Sequence, residues 1–284
     1  MHYATPLNLG HILKVAGCLP PGPRILAELR ELLLDSNSDT EAITSLLRRD
    51  GPLTARLVRI ANSIAFRRGS PVGSLDEAVL RIGFQQVYGL MGIASMSQVL
   101  EMPLKLYPLT SKALRENALL TALLMEELAP LAGEDARLAY TAGLLSSIGK
   151  IALDITAQVT SHHDQPSPFE PADIIAWEYE VFGLTSTDAA AHVLRAWRFP
   201  VEVFGAIRDH RFDSQTTEPI PMARLLHRAG TAVAEAGHGL PGEQIVWTRH
   251  AAKVREELAL SDDEVSAASQ RASARFEQLK SALG

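Results

Sequence analysis

Apolar residues recur along this chain at intervals of three and four, and alternating β-branched runs between Gly and Asn turns are missing. The pattern predicts an all-α fold. Residues 24–34 place Ile25, Leu29, Leu32 and Leu33 on one helical face. Ser38 and Glu41 have capping-box spacing ahead of Ile43, Leu46 and Leu47. Asp50-Gly51-Pro52 opens a third helix with Leu53, Leu57, Ile60 and Ala61 inward. Ser74 and Glu77 form a second capping box before Ala78, Val79 and Ile82, and Gly83 suits the stop. Residues 84–101 read as a longer, buried helix, after which Pro103 and Pro108 mark a boundary between two helical subdomains.

Beyond that boundary the spacing predicts helices over 111–131, 171–182, 185–197 and 200–210. After a turn-rich connector at 213–220, three more follow over 221–236, 243–258 and 262–283. Ser261 and Glu264 cap the last. Its stripe of Val265, Ala268, Ala272, Phe276, Leu279 and Leu283 covers a core or a partner. At the centre of the chain, Tyr140–Leu153 reads YTAGLLSSIGKIAL, one buried helix with the adjacent hydroxyls of Ser146 and Ser147 in its middle. Gly143 and Gly149 signal close backbone approach there. Buried hydroxyls need partners, so the surroundings must be polar.

With 284 residues, 46% of them hydrophobic, the chain has ample material for a core. A net charge of -6 argues against general nucleic-acid binding but leaves room for a local basic patch. Such a patch exists: Arg48, Arg49, Arg56, Arg59, Arg67 and Arg68 crowd together with only Asp50 among them. They suit an anion or an acidic partner, or else a solvated face laced with acidic helices. One cysteine, Cys18, excludes an internal disulfide framework and fits a reducing cytoplasm; its apolar neighbours predict burial. The N-terminus lacks a basic n-region, and no run reaches the ~20 apolar residues of a spanning helix, so neither signal peptide nor membrane segment is expected. His162-His163-Asp164 has no partner pair at ligating distance along the chain and reads as a solvated loop. Glycine-rich phosphate loops, CxxC pairs and nucleophile elbows are missing.

The central stretch resembles the core motif of the HD metal-dependent phosphohydrolase superfamily. Gly143, Leu144, Leu145, Ile148, Gly149 and Lys150 match it, while Ser146 and Ser147 stand where that motif carries its metal-binding His and Asp. More of the chain is similar to the HDOD domain, a bacterial signalling relative of those hydrolases. The likeness rests on Leu19-Pro20, on Asp50 and Pro52 leading into Leu53-Thr54-Ala55-Arg56-Leu57, and on Asn62-Ser63, Ala78 and Ile82-Gly83. It continues through Glu180, Gly183, Trp197, Pro200 and His210, and spans about residues 19–212. The division it implies is an N-terminal extension (1–18), two helical subdomains (19–105 and 106–212) and a C-terminal extension (213–284).

Laid on the HD pattern, Asn117 takes the place of the first His, Ser186 that of a later one, and Arg211 follows a surviving His210. One imidazole among hydroxyls and an amide does not hold a catalytic divalent ion, so no cofactor is expected. The resemblance implies a cytoplasmic, non-catalytic regulatory domain that works through a protein partner. One rival is a metal-dependent phosphohydrolase of cyclic nucleotides or phosphoesters with unrecognised ligands. The other is a nucleotide-binding sensor without turnover, using Lys150, Arg211 and the hydroxyls. Lys150 is otherwise a solvated helix-end lysine. His210 is a former ligand, a pocket hydrogen-bonder or a helix C-terminal His. Asn62 and Ser63 read as structural, tying down the loop that follows.

Overall fold

The computed structural model describes residues 7–19, 25–35, 40–63, 70–107, 109–160, 173–212 and 218–283. Among the described residues every regular element is helical. Contacts divide the chain into two units: residues 1–19 with 100–272, and 20–99 with 273–284.

The N-terminal residues, placed apart by the sequence, belong to the larger unit. They form α1 (Leu9–Cys18), capped by Asn8, whose side chain accepts from the Gly10 amide at 2.7 Å. The Trp197 indole donates to the Ala16 carbonyl at 3.1 Å, and the Leu7 amide to that of Phe182 at 2.9 Å. Cys18 is exposed, contrary to its apolar neighbourhood in sequence, because α1 turns Ile12, Val15 and Ala16 inward instead.

The smaller unit contains α2 (Ile25–Leu34), α3 (Thr40–Arg48), α4 (Gly51–Ala61), α5 (Leu75–Ile82) and most of α6 (Phe84–Leu100). α3 packs on α2, α4 and α5 through its buried Ile43, Leu46 and Leu47. Ser74 caps α5 by accepting from the Glu77 amide at 3.2 Å, and Gly83 ends it at φ 86°.

The larger unit continues with α7 (Ser111–Leu128), a 3-10 turn over Ala129–Ala132, α8 (Ala136–Leu145) and α9 (Ile148–Val159). Next come α10 (Ile174–Phe182), α11 (Ser186–Ala196), α12 (Val201–Asp209) and α13 (Pro221–Val233). α14 (Gln244–Arg249), α15 (Ala251–Leu258) and the start of α16 (Asp262–Leu283) complete it. α11 opens with a reciprocal capping box between Thr185 and Asp188.

Two expected single helices are broken. The central one stops at Leu145 and restarts at Ile148, because the Ser146 hydroxyl donates to the Gly143 carbonyl at 2.8 Å and competes with the helical ladder. The full stretch Ala136–Val159 is long and apolar enough to cross a membrane, yet it is mostly buried inside the protein. The 243–258 segment breaks at His250, whose φ of -119° leaves the helical region. The stripe on α16 covers core: Val265, Ala268, Ala272, Phe276 and Leu279 are all buried.

The glycines set two close helix crossings. A Cβ at Gly143 would lie 2.7 Å from the Ala122 Cα, so α8 meets α7 backbone to backbone. A Cβ at Gly149 would collide with the Ser186 carbonyl oxygen, so α9 rides directly on the start of α11. These contacts bring positions 117, 146, 147, 150 and 186 to one place.

Candidate functional site

Within the larger unit, α7 contributes Asn117 and Thr121, the α8–α9 break Ser146 and Ser147, and α9 Lys150. His210 at the end of α12, Leu226 and Gly230 on α13, and Glu243 and Trp247 at α14 complete the wall of one small cavity. It has about 10 Å³ of free room, enough for one water.

Lys150 is not a solvated helix-end lysine. It is 3% exposed, and its Nζ donates to Glu243 Oε1 at 2.6 Å. Arg211, also buried, donates to Glu178 Oε2 at 2.8 Å and to Ser186 Oγ at 3.0 Å, and sits 3.7 Å from Glu243 Oε1. Glu178 further accepts from the Ser186 amide at 2.7 Å and the Tyr107 hydroxyl at 3.0 Å. Two cations and two carboxylates thus form a closed, neutral quartet. Burial alone would raise the Glu178 carboxyl, but the Arg211 and Lys150 charges and the Ser186 hydrogen bonds outweigh it and hold it below the ordinary value. Burial pushes the Tyr107 hydroxyl upward, and the Glu178 charge adds to it.

His210 closes α12 and is buried. Its Nδ1 lies 2.7 Å from the Ile207 carbonyl, which only accepts, so Nδ1 carries the proton and Nε2 the lone pair. Burial, then the neighbouring Arg211 charge, drive its pKa well below 6.5. The ring stacks on Trp247 with centroids 5.6 Å apart. His227 repeats the arrangement behind it: Nδ1 faces the His210 carbonyl at 2.8 Å, and burial lowers its pKa to about 4. Asn117 donates to the His238 carbonyl at 2.8 Å.

The donor set does not fit a catalytic divalent metal. Of the cavity's walls only His210 and Glu243 offer ligating atoms of the required kind, and the Glu243 carboxylate is closed by the Lys150 ammonium. An ion there would face the charges of Lys150 and Arg211. Among the described residues no three His, Cys, Asp or Glu side chains are grouped to hold a metal.

Sequence reasoning brought Asn117, Ser146, Ser147, Lys150 and His210 to the cavity and Ser186 and Arg211 to its edge. It missed Glu178, Glu243, Tyr107 and Trp247, and also Asp154 on α9. The Asp154 carboxylate accepts from the backbone amides of Lys105 (3.0 Å), Leu106 (2.7 Å) and Tyr107 (3.2 Å), which holds Tyr107 over Glu178. Two acids inside the apolar run IIAWEYEVF, Glu178 and Glu180, were the one available signal for Glu178.

The arginine cluster lies in the smaller unit. Arg48 pairs with Asp76 at 2.6 Å and Arg49 with Glu28 at 3.2 Å, all four side chains well exposed. Such pairs contribute ~0–1 kcal/mol. Arg59 is exposed and Arg56 partly so; Arg67, Arg68, His162, His163 and Asp164 lie outside the described residues. Asn62 clamps Val72 with two bonds, donating to its carbonyl at 2.9 Å and accepting from its amide at 2.8 Å. The Ser63 amide closes α4 on the Ile60 carbonyl at 2.9 Å.

Comparison with known proteins places this geometry. A crystal structure of an HDOD domain protein with unknown function from Geobacter sulfurreducens shares 20% identity over 96% of each chain, with a TM-score of 0.66. One from Shewanella amazonensis, provisionally named a phosphohydrolase, shares 22% identity over 96% of this chain and 98% of that one, at 0.64. A protein from Marinobacter aquaeolei, provisionally named for signal transduction, shares 22% identity over 94% of this chain and 58% of that one, at 0.62. These likenesses show a shared fold. No curated protein matches the chain. The HDOD domain profile matches residues 19–212, so the chain belongs to the HDOD family.

Proposed function

We propose that this protein is a non-catalytic regulatory domain of the bacterial cytoplasm that passes a signal to a protein partner on a dismantled HD scaffold. The observation that carries the reading is the buried quartet. Where a hydrolase would gather ligands around an ion, Lys150, Arg211, Glu178 and Glu243 neutralise one another, and Asn117, Ser146 and Ser147 are uncharged. A divalent ion lowers the pKa of a bound water only from an open coordination sphere of imidazole or anionic ligands. Family membership and the signal-transduction naming of the Marinobacter relative support a regulatory role.

The test is elemental analysis of purified protein together with turnover assays on cyclic dinucleotides and generic phosphoesters. The expected result is substoichiometric transition metal and no hydrolysis above blank. Stoichiometric metal, with turnover that disappears in His210→Ala, overturns the proposal.

A further inference from the structure

Beyond the HDOD match, the cavity is walled by Leu226 and Gly230 on α13 and by Glu243 and Trp247, the latter two on the segment 238–247. His238 accepts from Asn117 through its carbonyl, Glu243 receives Lys150, and Trp247 stacks on His210. The segment therefore engages three positions aligned above with the HD pattern. Its first part, residues 238–241, is bracketed by glycines in the left-handed region, Gly237 at φ 85° and Gly242 at φ 80°, and nothing lies within 4 Å of where a Cβ on Gly237 would be. Such positions absorb backbone rotation readily.

Charge and space both mark the Glu243 carboxylate as an occupant. With it in place the quartet is neutral. With it withdrawn, Lys150 and Arg211 face Glu178 alone, leaving one excess positive charge in a buried site. The free room beside it holds one water, so an external anion can enter only by exchange with that carboxylate. Two donors also wait unused. Trp247 Nε1, on the cavity wall, and Arg211 Nε are buried without an acceptor among the described residues. A buried donor without an acceptor is destabilising, and an anion oxygen would supply the missing partner.

We propose that Gly237–Glu243 is a strap whose Glu243 carboxylate is an internal stand-in for a phosphate group, and that a phosphate-bearing ligand opens the strap by displacing that carboxylate from Lys150 and Arg211. The strap is a ligand-responsive element in the larger unit, and its operation does not depend on which protein the domain signals to.

Calorimetric titration of the full chain with inorganic phosphate, in EDTA at constant ionic strength, tests this. Glu243→Gln is expected to bind phosphate at least tenfold more tightly than the unaltered protein, and Lys150→Gln/Glu243→Gln to lose that binding. Equal affinities, or binding retained in the double variant, overturn the strap. If Glu243→Gln fails to fold, hydrogen exchange on the unaltered protein decides. Phosphate is expected to speed exchange of the 237–243 amides relative to sodium chloride of equal ionic strength, with no response in Lys150→Gln. Unchanged rates in the unaltered protein overturn the proposal. Phosphate binding that requires an added divalent metal also overturns it, and counts against the non-catalytic reading as well; failure in EDTA alone leaves that reading standing.

Discussion

Each charge in the quartet is tolerated because its partner is there. Arg211 and Glu178 are 1% and 0% exposed, so removing either strands the other in a medium that solvates it poorly. Breaking a buried pair this way costs ~3–5 kcal/mol, whereas replacing both members with apolar groups of similar volume is often close to neutral. Glu178→Gln and Arg211→Met are each expected to lower stability by about that amount in urea titration. The double variant should lose clearly less than the two losses added together. Strict additivity would mean that the two side chains are energetically independent despite their 2.8 Å contact. Asp154 works at the same scale on backbone. Its carboxylate takes three consecutive amides, and Asp154→Ala leaves them buried or half-buried without an acceptor. A loss of ~2–4 kcal/mol is expected, with faster hydrogen exchange at Lys105, Leu106 and Tyr107. The legible part of the site was its neutral and cationic part. Asn117, Ser146, Ser147 and Ser186 stand out because a known pattern puts ligands there, and the structure does gather them. The carboxylates were hidden because one acid on an amphipathic helix reads as solvent-facing, and Glu243 lies 93 residues from Lys150 in a glycine-rich turn.

Helix crossings decide whether those side chains meet at all. α9 reaches Ser186 and α8 reaches Ala122 only because Gly149 and Gly143 lack a Cβ. Helix propensity alone would favour alanine at either place by about 1 kcal/mol. Gly149→Ala should nonetheless destabilise strongly, by about 3 kcal/mol or more, because the obstructing atom is backbone carbonyl and cannot rotate away. Gly17→Ala on α1, where nothing lies within 4 Å, serves as the contrast and should be neutral or slightly stabilising in thermal melts. Equal effects at the two positions would refute packing as the reason for Gly149. Periodicity located nearly all the helices, since burial of one face is what creates it. It could not locate the breaks at Ser146 and His250, because apolar spacing runs through both and only hydrogen-bond competition and local dihedrals interrupt the ladder. Nor could it show that residues 7–19 join the larger unit, which depends on long-range bonds such as Trp197 to Ala16.

At the scale of the whole molecule, all three tryptophans, Trp177, Trp197 and Trp247, fall in the larger unit, so intrinsic fluorescence follows its unfolding apart from that of residues 20–99. Its response to pH has a definite sign. His227 has a folded pKa of about 4 against 6.5 for the free side chain, first because it is buried and then because His250 and Arg228 oppose its charge. Between those values the unfolded chain binds a proton that the folded chain refuses. Stability is therefore full above pH 6.5, falls as pH drops toward 4 and levels off below, a loss on the order of 3 kcal/mol for this residue. His210, lowered in the same direction by burial and the Arg211 charge, deepens the decline. The Glu178 carboxyl, held low by Arg211 and Lys150 against its burial, is ionised through the upper part of this window and loses its stabilising share only at more acid pH. Urea midpoints followed by fluorescence from pH 7 to 4 should fall steadily, and His227→Gln should remove about one proton's worth of that slope. A His227→Gln profile parallel to that of the unaltered protein would mean that this imidazole titrates alike in both states, and that its burial against the His210 carbonyl does not exclude the charge.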